Sequence, residues 1–163
     1  MAGQVLRPAT AALRLIALRL ATPDLEVVAA QPGVVEAFRV TVRYHDGRHP
    51  DQIGTVIKWR GITEAALTLA YRRPEDKPLN LDLKISGESF STFSAGLRKL
   101  NFDRLDDPPE IPWTGADLWL LERASASFHH DLIIAPDSAV GIYEEVVAAV
   151  RTHLKEALRM ISL

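Results

Sequence analysis

Three consecutive residues near the carboxyl end, His129-His130-Asp131, carry the side chains best suited to chemistry in this chain. An imidazole beside a carboxylate can move a proton or hold a metal ion. Neighbouring residues of a strand point to opposite faces, so His129 and Asp131 share one face and His130 takes the other. His130 has the parity of Leu132 and Ile134, which assigns it to the core side as a hydrogen-bonded structural group. Glu122 precedes His129 by a short stretch of small residues, Arg123 to Ser127. A hairpin there makes Glu122 and His129 cross-strand neighbours. His129, Asp131 and Glu122 are therefore the candidate catalytic residues, with a structural role as the plainer alternative.

Two other groups invite the same question. His45 and His49 are four apart, a metal-binding spacing only on a helix. Asp46-Gly47 and Pro50 make that stretch a turn, so a solvated loop is expected. Asp103, Asp106 and Asp107, with Glu110 and Asp117, cluster around Pro108, Pro109 and Pro112. Carboxylates suit hard cations, but the spacing and the lack of a central glycine do not match a calcium-binding loop. Asp103, Asp106 and Asp107 stand as the metal candidates, and a charged, rigid, solvated loop is the simpler reading. No cofactor is implied. The Gly-rich dinucleotide motif, the phosphate-binding loop, the nucleophile elbow and the His-Glu-x-x-His motif are all missing from the sequence.

The elements that must position these groups follow from periodicity. Phe38 to Tyr44, Ile53 to Arg60, Ala65 to Arg72 and Leu79 to Ile85 alternate apolar and polar residues, which predicts four meander strands with one wet face. Phe90, Phe93, Leu97 and Leu100 then step by three and four, predicting a helix capped by Ser89. Ala116 to Glu122 and Phe128 to Ala135 form a hairpin. Tyr143, Val147, Val150, Leu154, Leu158 and Ile161 line one stripe of a terminal helix of about 20 residues by that spacing. Residues 10–21 are strong helix formers, although Ile16, Leu18 and Leu20 also alternate. Leu25 to Ala30 is read as half of a hairpin with Val34 to Tyr44, across Gln31-Pro32-Gly33, because its valines favour strands. The expected fold is a single α+β domain over residues 1–163: about six largely antiparallel strands, packed on one face by the mid-chain and terminal helices.

The chain has 163 residues, no cysteine and a net charge of -2. That length buries a sizeable core without disulfides. Residues 1–73 carry 10 basic and 6 acidic side chains, and residues 74–163 carry 9 and 15, so the halves balance at +4 and -6. Nucleic-acid binding is not expected from so mild an asymmetry at a pI near 6.2. No apolar run approaches the ~18 residues of a membrane span. Met1 to Leu20 has no acidic residue and resembles a transit peptide in composition, but an ordinary core-packing element is the simpler reading. A cytoplasmic location is expected.

The oddest feature is Leu118-Trp119-Leu120-Leu121, apolar at both parities. Such a strand is covered on both faces, by the chain itself or by a partner. Trp119, Leu121 and the loop residue Trp113 are accordingly the candidate interface residues. A helix ending at Asn101-Phe102 before a tryptophan-bearing strand resembles small bacterial domains over less than half of the chain, and the resemblance carries no site. The leading expectation is a non-enzymatic module that binds a protein or a second copy of itself. The alternatives are a small hydrolase or metal-dependent enzyme at His129, Asp131 and Glu122, and a binder of a small apolar ligand between the sheet and the terminal helix.

Overall fold

Alternating side chains dominate the middle of the chain, and there the backbone forms one antiparallel sheet. A computed structural model describes residues 8–161, so the reading of Met1 to Arg7 lies outside the described residues. The helices are α1 (Pro8–Arg19), α2 (Leu25–Ala29), α3 (Gly87–Lys99) and α4 (Ile142–His153). The strands are β1 (Val34–Arg43), β2 (Gln52–Trp59), β3 (Ala65–Tyr71), β4 (Leu79–Ile85), β5 (Leu118–Ser125) and β6 (Phe128–Ile134). Short 3-10 turns occupy Phe102–Arg104 and Lys155–Leu158. The strand order is β4-β3-β2-β1-β5-β6, so β1 lies inside the sheet while β4 and β6 form its edges. Among the described residues, no helix is long and apolar enough to cross a membrane.

The first face carries Phe38, Val40 and Val42 of β1, Val56 of β2, Leu67 of β3, Trp119 and Leu121 of β5, and Leu132 and Ile134 of β6. Phe90, Phe93 and Leu97 of α3 and Val146, Val147 and Val150 of α4 join them in one cluster. Phe38 meets Phe93 edge-on, with ring centroids 4.9 Å apart, a preferred aromatic geometry. The α+β layering and the packing of these two helices are as the periodicity predicts.

The second face departs from the expected wet surface. Leu13 and Ile16 of α1, with Leu20 just past its end, pack on Ile53, Ala70, Leu118, Leu120 and Ile133. Leu25, Val28 and Ala29 of α2 pack on Ala37 and Ala124. Residues 25–29 are therefore helical and not half of a hairpin, because burying three side chains at i, i+3 and i+4 outweighs the strand preference of two valines. Both parities of Leu118–Leu121 are covered from within the chain. Trp119, only 4% exposed, and Leu121 are core residues and offer no surface to a partner.

Two element ends also differ from expectation. The cap of α3 is Ser86, whose Oγ accepts the backbone N–H of Ser89, so Ser89 lies one turn inside. The terminal helix stops at His153, shorter than its apolar stripe. Leu154 leaves helical geometry, and the next turn lays Ala157 on Gly54 of β2. Gln52 Nε2 donates to the Ala157 carbonyl at 3.3 Å. A Cβ at position 54 would lie 2.6 Å from the Ala157 Cβ, closer than carbon atoms pack.

Gly54 has ordinary backbone angles, so the cost of filling it is steric. Gly54→Ala is expected to lose about 1–3 kcal/mol of unfolding free energy. Adding Ala157→Gly should recover part of that loss. Urea denaturation of the two single variants and the double variant measures the coupling, and strictly additive losses would contradict the contact.

Candidate functional site

Four adjacent strands place one polar residue each in a single register row on the second face. Thr55 of β2 is paired with Arg39 of β1, Arg39 with Glu122 of β5, and Glu122 with Asp131 of β6. The row runs beneath α1 and α2. Ala37 and Ala124 lie on one side of it, and Thr41 and Leu120 on the other. It thus separates two apolar clusters that share the same sheet face.

Helices supply the remaining charges. Arg14 of α1 donates to Asp131 Oδ2 at 3.1 Å and lies 3.9 Å from Glu122. His129 places Nε2 3.0 Å from Glu122 Oε1 and Nδ1 3.0 Å from Glu26 Oε1 of α2. The strand hairpin thus brings His129, Asp131 and Glu122 together, but its register sets Glu122 directly opposite Asp131, with His129 diagonal to it and opposite Ala124. The sequence reading missed Arg14, Arg39 and Glu26. Arg39 carried a signal, a charge amid alternating valines, that was assigned to solvent; nothing local marked Arg14.

Burial sets the electrostatics. Arg39 is 2% exposed; its Nε donates to Thr55 Oγ1 at 3.0 Å, and Nη2 has no hydrogen-bond partner. Desolvation pulls its guanidinium below the ordinary value, against the charge of Glu122. Burial likewise opposes charge on His129, but the hydrogen bond to Glu122 and the charges of Glu122 and Glu26 prevail and raise its pKa. An imidazolium donating to two carboxylates satisfies both ring nitrogens. Both ring nitrogens face carboxylates within the fold, so neither is left over for a substrate.

The other sequence candidates separate. His130 lies on the first face, with Nε2 3.0 Å from the Leu105 carbonyl and its ring edge-on to Phe102 at 5.3 Å. Asp103 pairs with Arg123 at 2.8 Å, and Arg123 also donates to the buried Glu36 at 2.8 Å. Asp107 Oδ1 accepts the backbone N–H of Ile133 at 3.0 Å. Asp103 and Asp107 are thus spent on separate partners, Asp106 engages Tyr143 through its backbone carbonyl, and no group of three or more metal-ligating side chains converges among the described residues. The His45 loop is an exposed turn, as expected, but its side chains are tied to Asp117. Asp117 accepts from the His45 backbone N–H at 3.1 Å and from Arg48 at 2.6 Å, with His45 Nδ1 at 2.7 Å. Pairing of Arg43 with Leu118 brings that carboxylate beside the end of β1.

A different place offers open space. A groove of about 930 Å³ runs between Pro108–Trp113 and Ser138–Tyr143, with Ile134 and Ala135 at its floor. Trp113 is 50% exposed there. Three prolines stiffen one wall. Tyr143 Oη donates to the Asp106 carbonyl at 2.7 Å, and Asp107 holds β6, so this wall is tied to α4 and to the sheet.

A raised His129 pKa contributes stability that is fully present below the unfolded value near 6.5 and is lost as pH rises through the folded value. His129→Gln should therefore cost about 1–3 kcal/mol in mild acid, the scale of hydrogen bonds to charged groups. The deficit should shrink in alkali. Chemical denaturation of both proteins between about pH 5 and pH 9 checks this, and a deficit independent of pH contradicts it. Compared with known proteins, the chain matches no family model and no curated protein, so its site is defined by these contacts alone.

Proposed function

We propose that this chain is a non-enzymatic protein-interaction module whose binding surface is the Trp113 groove. Its occupant is an extended, apolar segment of a partner protein. The observation that carries this reading is a half-exposed indole held on a stiff wall above a groove of about 930 Å³. A small ligand needs a site that encloses most of its surface, whereas this groove is open along Trp113 and Val140, the latter 73% exposed. An extended chain suits an open trough, and tryptophan is among the residues that most often dominate binding energy. A wall ordered before binding lowers the entropy cost of association.

The His129 cluster supports a non-enzymatic reading, since both of its ring nitrogens are committed to carboxylates within the fold. Of the three interface candidates, Trp113 alone remains available to a partner. A cytoplasmic setting completes the proposal, the simpler one for a chain without cysteine.

Selection from a phage-displayed random peptide library tests the groove. Peptides selected on the native protein should be apolar. Their binding should shift tryptophan emission to the blue. Trp113→Ala should abolish that shift and weaken binding at least tenfold, about 1.4 kcal/mol. Selected peptides that bind Trp113→Ala with unchanged affinity would refute the assignment.

A further inference from the structure

The two edges of the sheet are treated differently. At β6 the Asp107 carboxylate takes the Ile133 backbone N–H, and the proline-rich loop stays beside that edge. At the other edge, β4 pairs with β3 on one side only. An open edge is a template for another strand, and charged side chains along it decide which strand is accepted.

Side chains of β4 divide cleanly by parity. Leu79, Leu81, Leu83 and Ile85 share the face of Leu67, while Asn80, Asp82 and Lys84 share that of Thr68. Leu79 is 40% exposed, Leu81 and Leu83 are half-buried, and Asp82 and Lys84 are exposed. Thr68 Oγ1 donates to Asp82 Oδ1 at 3.2 Å from the strand already paired, which orients that carboxylate.

We propose that two copies of this chain associate through β4, antiparallel about a two-fold axis at Leu83, making one continuous sheet. Charge complementarity selects this partner and this register. Directly opposed residues of an antiparallel pair lie on the same face. With Leu83 opposite Leu83 of the partner subunit, Asp82 opposes Lys84 of the partner subunit. Lys84 likewise opposes Asp82 of the partner subunit, and Leu81 opposes Ile85 of the partner subunit. Centring the axis on Asp82 or on Lys84 sets like charges against each other. Moving the axis between residues reverses one face and drives the leucine row against the charged row. Centring it on Leu81 keeps the faces but sets Asp82 opposite Asn80 and leaves Lys84 without an acidic partner, so the Leu83 register alone matches both faces and pairs opposite charges. The contact is a single seven-residue strand, so it belongs with small, weak interfaces and dissociates on dilution.

Sedimentation velocity across a concentration series tests the pairing with the full chain. The native protein should pass from the 18.0 kDa monomer to twice that mass as concentration rises to several hundred micromolar. Asp82→Lys and Lys84→Asp should each weaken dimerisation at least tenfold, because each sets like charges face to face. Both positions are exposed, and circular dichroism verifies that each variant is folded. Mixing the two variants one to one should restore a dimer, since opposite charges then meet at both pairs; so should the double swap within one chain. A native protein that stays monomeric throughout the series overturns the proposal. A dimer indifferent to either substitution, or a mixture that does not recover, also overturns it.

Discussion

Everything on the second face of the sheet depends on burying charge beneath α1 and α2. Arg39 sits in a central strand and cannot reach water, so its neighbours must answer it. Glu122 does so from the neighbouring strand, Asp131 takes Arg14 from above, and His129 closes the network from beside. Breaking one partner of a buried charge pair costs far more than a surface pair ever contributes. The row therefore acts as a register lock: a slip of one residue in β1 or β5 would bury charge against apolar side chains. It also explains how two short amphipathic helices dock on a face whose centre is polar.

The first face is governed mainly by packing. Aromatic and aliphatic side chains from α3 and α4 meet the sheet, and the polar groups there find partners: Glu36 in Ser94 at 2.9 Å and Arg123, Gln52 in the Ala157 carbonyl, and His130 in the Leu105 carbonyl. The carboxyl end of the chain then departs from a regular helix because a backbone contact is available. Gly54 leaves a pit, and Ala157 fills it only if the last turn tightens and tilts. Local period and tertiary fit compete there, and fit prevails.

Around the rim, carboxylates serve as tethers. Asp117 fastens the first hairpin turn to the start of β5, and Asp107 closes the β6 edge. Asp103 completes a chain of ion pairs with Arg123 and Glu36. Their clustering in sequence suggests a cation site, but each is directed at a different donor. The consequence is a rigid proline-rich wall with an indole on it, and a sheet with one guarded and one unguarded edge.

Period-two alternation from Phe38 to Ile85, and the small-residue turn between Glu122 and Phe128, determined the strands, their antiparallel order within each hairpin, and the convergence of Glu122, His129 and Asp131. These depend on residues near one another in the chain, where side-chain direction follows from spacing. The helicity of residues 25–29, the cover over both parities of Leu118–Leu121, and the partners of Arg39 were decided only in three dimensions. Each depends on residues far apart in sequence, since α1 and α2 reach β5 and β6 across nearly the whole chain. A polar residue in an alternating strand looks the same whether water or a helix faces it. Sequence alone therefore assigned to solvent a face that tertiary contact had filled with paired charge.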